Sequence, residues 1–432
     1  MTESGEGPGE GMDPGVDVAP SSESVAVQEA LEAPAESFSE YLSRWWLKVR
    51  AGDLGSLPIV VGLVIIAVVF GLLNDNFFGE RNFTNLLLQM AAVSTMAIGI
   101  VFVLLIGEID LSVGFVSGVG AVVMTLLLRP NDPGWPWWAA IGVALALTTL
   151  IGFGQALIIT KAGVPSFVVT LAGYLIWSGV VLVLTTQFTT TGTIRIQDPT
   201  VVGIANDFLS PLWGWIVGGL VVVGYALSQL QTARSRRSSG LIAKPLPLLG
   251  LQIVGLAVVT FAGVSYANQD RGVPTVTVIL GVALVFWSFV ASRTRFGRHV
   301  YAVGGNAEAA RRAGISVDRL RIMVFMIAGF MAGVGGIVLA SRLRSVATNT
   351  GGGSLLLNVI AAAVIGGTSL FGGSGRVVSA LLGALVITSI QNGMDLLGLA
   401  SGTKFVITGF VLLGAVLVDA LSKRSRSARG VA

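Results

Sequence analysis

Apolar runs of about twenty residues recur along most of this chain, and that is the length a helix needs to cross a bilayer. Twelve can be read: 57–73, 86–106, 109–128, 137–160, 164–185, 211–230, 246–265, 274–292, 319–340, 355–370, 376–391 and 404–421. In lipid every backbone N–H and C=O must find a partner inside the structure, and a helix pairs them within one segment. The expected fold is therefore all-α, a polytopic integral membrane bundle of about 10–12 transmembrane helices. The runs flanking Gly107 and Gly372 are marginal, so helix breaks, half-helices or re-entrant pieces are expected there. Composition agrees: 53% of the residues are hydrophobic and 12% charged, against about 25% charged in a soluble domain.

The few charges are unevenly placed. Residues 1–40 hold ten acids and no base, in a context rich in Gly, Pro and Ser. Such a stretch cannot bury enough apolar surface to offset its ordering entropy. Residues 1–43 read as a disordered acidic cytoplasmic tail, and 44–56, with Trp45 and Trp46 among Arg44, Lys48 and Arg50, as an interfacial amphipathic segment. Placing both termini in the cytoplasm puts twenty of the 27 Lys and Arg on the inner side, as the positive-inside bias requires. Transmembrane half 1 then spans 57–230, a basic cytoplasmic linker 231–245 and transmembrane half 2 246–422. A basic C-terminal tail covers 423–432. The polar, Thr-rich loop 185–210 falls outside, as a connector or a partner surface.

Short matches support a repeat. Ile106-Gly107, Leu111 and Gly114 recur as Ile365-Gly366, Leu370 and Gly373, and FVVT at 167–170 recurs as FVIT at 405–408. Internal repeats are common in transporters. The GxxxG pairs Gly114/Gly118 and Gly329/Gly333 read as close helix packing.

Catalysis finds little raw material. There is no cysteine and one histidine, His299, in an arginine-rich loop. The Gly-rich run GGTSLFGGSG at 366–375 lacks the lysine of a phosphate loop. No catalytic residue, bound cofactor or metal site is expected, and no nucleic-acid partner.

Residues 293–321, RTRFGRHVYAVGGNAEAARRAGISVDRLR, form the most informative inner segment. Gly304 and Gly305 suggest a turn. Asn306 can cap a short helix whose first turn holds Glu308, and Gly314 can end it. A charged helix on so long a loop suits docking.

Here the text resembles a known family. Glu308-Ala309-Ala310, three residues, then Gly314 looks like the EAA signature of ATP-binding-cassette importer permeases. IGEIDLSVG (106–114), GVPSFVVTLAG (163–173), GRHVYAVGGNAEAARRAGI (297–315), AAAVIGGTSLFGGSGRVVSALLGALVI (361–387) and QNGMDLLGL (391–399) resemble the monosaccharide permeases for ribose, galactose, arabinose and xylose. The extra span at 246–265 is most like the xylose type. The resemblance implies a multi-pass plasma-membrane subunit without an ATPase site of its own. ATP and Mg would be bound and hydrolysed by a partner ATPase seated on the cytoplasmic coupling loop 293–318, through Glu308, Ala309, Ala310, Arg311, Arg312 and Gly314. It also implies an extracytoplasmic sugar-binding protein, a second permease copy and surrounding lipid. The family block reads close to GGIDLSVG, and Glu108 replaces its second glycine.

Polar groups inside apolar spans mark substrate routes by default, and Asp110, Ser112, Gln89, Ser94, Gln155, Gln391, Asn392 and Asp395 are the candidates. They could equally satisfy broken backbone or bridge helices. Other readings are a permease for branched-chain amino acids or nucleosides, an ion-coupled secondary transporter using Asp110, and, more remotely, a membrane enzyme. Asp110 is expected to cap a helix starting at Leu111. With no partner base nearby, Glu108 either reaches the cytoplasmic interface or perturbs a tight backbone contact; Glu108→Gly is expected to be tolerated and Asp110→Ala to impair assembly or transport.

Overall fold

The computed structural model describes residues 39–40, 43, 46, 57–130, 133–241 and 244–428. The acidic tail and most of the interfacial segment lie outside these. Trp46, within the interfacial segment, is helical and half exposed.

Each of the twelve apolar runs forms a helix. In chain order the described elements are α1 Leu57–Leu73, α2 Glu80–Leu105, α3 Val113–Leu127, α4 Trp137–Lys161, α5 Ser166–Phe188, β1 Thr193–Arg195, α6 Pro199–Asn206, α7 Pro211–Ser238, α8 Leu246–Ala267, α9 Thr275–Arg293, α10 Arg295–Gly305, α11 Ala307–Arg312, α12 Val317–Leu343, β2 Ser345–Ala347, α13 Leu355–Ile365, α14 Val378–Leu396 and α15 Ser401–Ala428. Seven are long and apolar enough to cross a membrane, while α1, α3 and α13 are shorter apolar helices. The protein is an all-α polytopic membrane bundle.

Two helices make the centre. α2 is buried along nearly its whole length and α12 along most of it. α12 packs on α4, α2 and α3, and α2 packs on α14 and α13. The halves are thus interlocked, since α2 belongs to the first and α12, α13 and α14 to the second. In lipid, close approach through small residues substitutes for the hydrophobic drive available in water. A Cβ on Gly329 would lie 2.3 Å from the Thr148 carbonyl oxygen, and one on Gly333 2.3 Å from Thr148 Oγ1. The expected role of that GxxxG pair is packing, and here it packs on α4. Few residues of helices α7, α8 and α9 are buried, as in lipid-facing helices.

Four local readings change. The basic stretch 231–245 is helical through Ser238, as a continuation of α7. Residues 423–428 likewise continue α15. The loop 185–210 contains structure: β1 pairs antiparallel with β2, Ile194 opposite Val346, and α6 follows, started by Asp198, whose Oδ1 accepts the Val201 N–H at 2.9 Å. Two three-residue strands carry too little alternation to be read from sequence. Finally, Gly304 and Gly305 do not form a turn. They are the last residues of α10, which extends the glycine-containing segment as helix from Arg295.

The two helix breaks are as expected and share a mechanism. At the end of α2, Gly107 has φ +76°; its N–H bonds Leu104 O, and Glu108 N–H bonds Val103 O. At the end of α13, Gly367 has φ +97°; its N–H bonds Val364 O, and Thr368 N–H bonds Ala363 O. Both are Schellman ends, which require a left-handed residue. The structural equivalent of Gly107 is therefore Gly367 rather than Gly366, one residue beyond the sequence match.

Candidate functional site

The short cytoplasmic helix α11 forms as its residues dictate. Asn306 Oδ1 accepts the Ala309 N–H at 2.9 Å, an N-cap. Its other end is a third Schellman motif. Gly314 has φ +86°, its N–H bonds Arg311 O, and Ile315 N–H bonds Ala310 O. Ala310 is buried, as are Val317 and Leu320 at the start of α12. Glu308, Ala309, Arg311, Arg312 and Gly314 are exposed. The predicted docking residues thus divide: Ala310 anchors the helix and the other five form its open face. Glu308 is held on that face by Arg311 at 3.1 Å and Arg312 at 3.2 Å.

This helix pair sits against the junction of the two breaks. A Cβ on Gly304 would lie 1.7 Å from Leu105 O and 2.7 Å from the Gly373 nitrogen. Gly373 N–H donates to Leu105 O at 2.9 Å. A Cβ on Gly372, itself at φ +86°, would lie 2.8 Å from Gly304 O and 3.0 Å from the Gly107 nitrogen. Three backbone segments, from α10, the α2–α3 break and the α13–α14 break, meet here at distances that leave no room for a side chain at Gly304 or Gly372.

Polar groups gather just beyond. Asp110 is buried, and its Oδ1 accepts the Ser112 N–H at 2.8 Å and the Ser112 hydroxyl at 2.7 Å. The helix starts at Val113 with Ser112 in the N-cap position, so Asp110 does not cap a helix at Leu111 but stands two residues before the cap and turns the chain into α3 in an Asx-type turn. Gln155 Nε2 of α4 donates to Ser112 Oγ at 3.0 Å. The intervening Ile109 is fixed to α5: its N–H donates to Ser166 Oγ at 3.2 Å and its carbonyl accepts from Thr170 Oγ1 at 3.3 Å. Gln155 also lines a largely apolar cavity of 560 Å³ between α4 and α5, beside Gly173 and Trp177.

The other candidates lie elsewhere. Asn392 and Asn82 exchange two amide hydrogen bonds at 2.8 and 2.9 Å, and Gln89 Oε1 sits 3.5 Å from Asn392 Nδ2. Ser94 Oγ is buried and has no hydrogen-bond partner among the described residues. Gln391 is half-buried. Asp395 is more than half exposed and ion-paired with Lys404 at 2.5 Å. The eight polar residues therefore make no single site. Asp110, Ser112 and Gln155 form one network, and Gln89 and Asn392 a second between α2 and α14.

Sequence reading missed Asn82, Ser166, Thr170 and Arg321 and gave Gly304 the role of a turn residue. Asn82 fell outside the run starting at 86, although α2 begins at Glu80. Arg321 is the partner Glu108 lacked, at 2.8 Å.

The comparisons with known proteins agree with this architecture. Residues 82–417 match the family model described as a branched-chain amino acid transport system permease component. The chain belongs to this family of transport permeases. The xylose transport system permease protein XylH of Haemophilus influenzae is 33% identical over 381 residues, covering 87% of this chain and 99% of the relative. XylH of Escherichia coli is 35% identical, covering 87% and 94%. The ribose import permease protein RbsC of Escherichia coli is 32% identical, covering 88% and 96%. No solved structure matches. As a permease, this chain is a transport subunit embedded in the membrane by many passes.

Proposed function

We propose that this permease is the membrane subunit of an ATP-driven importer of a monosaccharide, a pentose such as xylose. The observation that carries the sugar is similarity over nearly the whole chain to two xylose permeases and a ribose permease. The family model's description names branched-chain amino acids, which keeps those as the second substrate class.

The ATP requirement is supported by the open face of α11. It offers a short, capped, charged helix anchored to α12 by Ala310, Val317 and Leu320, a shape suited to seating an ATPase subunit. ATP and Mg belong to that subunit, and this chain's part is mechanical. An extracytoplasmic binding protein supplies sugar affinity and a second permease copy completes the assembly, with both termini of the chain in the cytoplasm. The Asp110–Ser112–Gln155 network lies beside the break junction, where a shift of α10 would reach it. It can offer hydroxyl, amide and carboxylate groups to a sugar without tight binding.

Reconstitution of the chain with its ATPase and binding protein in proteoliposomes tests this. Xylose uptake that needs ATP and all three components is expected. Uptake without the ATPase, or of leucine but no pentose, would overturn it.

A further inference from the structure

Residues 107–112 touch a large share of the working parts of the molecule. Gly107 meets Gly372 of the second break. Ile109 is bonded to Ser166 and Thr170 of α5. Asp110 and Ser112 lead to Gln155 of α4. Glu108 is the member of this segment whose side chain reaches the element that carries α11. Its Oε1 lies 2.8 Å from Nε of Arg321, and the two side chains are 13% and 28% exposed.

We infer that the Glu108–Arg321 ion pair is a positioning pair that transmits movement of the cytoplasmic helices α10–α11 to the α2–α3 break. The inference rests on the reading that α11 seats an ATPase. Arg321 stands little more than one turn into α12, between buried Val317 and Leu320 on one side and buried Val324 on the other. Ala310 is buried too, so α11 and the first turns of α12 shift together. The contact is held by charge: Arg321 Nε is buried yet makes no directed hydrogen bond. Attraction between charges falls slowly with distance, whereas a hydrogen bond needs its angle. Such a pair can stay engaged while its elements slide. Burial keeps it less screened than a surface pair. Glycine at position 108 would remove this side-chain tie between the break and α12.

The test uses the full complex with its ATPase, and because this chain has no cysteine, label incorporated into the permease band reports a single introduced site. Ile109, 37% exposed, is replaced by Cys, and its labelling rate by a maleimide is measured with and without a non-hydrolysable ATP analogue. A several-fold nucleotide-dependent change is expected with the pair intact. It is lost in Glu108→Gln and in Arg321→Gln, while co-purification with the ATPase and basal hydrolysis persist, and it returns in the charge swap Glu108→Arg/Arg321→Glu. An undiminished change in both single variants would overturn the inference. So would loss of assembly in both, since the pair would then only hold the fold. Sugar uptake by the unmodified complex reports separately on the transport reading.

Discussion

The carboxylate of Glu108 and the guanidinium of Arg321 lie 2.8 Å apart, joining the break after α2 to the first turns of α12. Sequence alone leads to the expectation that Glu108→Gly is tolerated; the ion pair leads to a different prediction. Removing one partner leaves a partly buried cation unpaired, which costs about 1–2 kcal/mol between the exposed and buried limits. Detergent-solubilised Glu108→Gly is expected to melt several degrees below the parent, and Arg321→Met/Glu108→Gly less far below. Equal melting temperatures for parent and Glu108→Gly would return the residue to a neutral role.

Gly304 and Gly305 offer a paired control. A Cβ at 304 collides with Leu105 O, whereas one at 305 meets nothing within 4 Å. Gly304→Ala is expected to lose about 1–3 kcal/mol or more through overpacking of the junction. Gly305→Ala, with open space around it, should express and melt like the parent. The comparison is read by fluorescence-detected size exclusion after heating.

Gly314 is a matter of backbone rather than space, since nothing lies within 4 Å of its missing side chain. Its φ of +86° penalises a Cβ by roughly 1–2 kcal/mol. Gly314→Ala is expected to reduce ATPase co-purification several-fold, and Gly314→Asn, which tolerates the left-handed region, to reduce it less. Equal recovery with both would show that the cap does not set the docking face.

Asp110 separates acceptor from charge. Asp110→Ala strands the Ser112 N–H in a buried site and leaves the hydroxyl only Gln155 Oε1 at 3.2 Å, at about 1–3 kcal/mol. Asp110→Asn keeps an acceptor, so its melting temperature should fall by less than half as much. An ion-coupled role would instead make Asn as inactive as Ala in uptake at unchanged stability.

Asn82 and Asn392 test whether a buried amide pair is structural or part of a route. Asn82→Ala leaves Asn392 short of a partner, at about 1–3 kcal/mol, while replacing both partners by leucine can be nearly neutral. If Asn392 serves transport, the double leucine variant recovers stability but not uptake. Recovery of both would make the pair a helix bridge only.

Much of this molecule is legible because its signals are local. A run of about twenty apolar residues favours a helix in lipid whatever its neighbours are, and each of the twelve runs contains one. Asn306 as N-cap and Gly314 as C-cap act within a few residues of themselves, so α11 could be placed from its own text. The left-handed glycine at 107 is local in the same way. Other features depend on packing. Asn82 and Asn392 are 310 residues apart in sequence. Glu108 looked unpartnered until α12 was laid along α2, and Gly304 looked like a turn until α10 was pressed against Leu105. The eight polar candidates read as one set because polarity in an apolar run is a property of the run. Which of them share a site is decided by helix rotation and crossing. That is fixed by close contacts among small residues, such as Gly329 and Gly333 against Thr148. The helices, the breaks and the caps follow from the local order of residues. The tertiary structure decided which breaks touch and which charges pair, because those depend on distances between segments that local propensity does not encode.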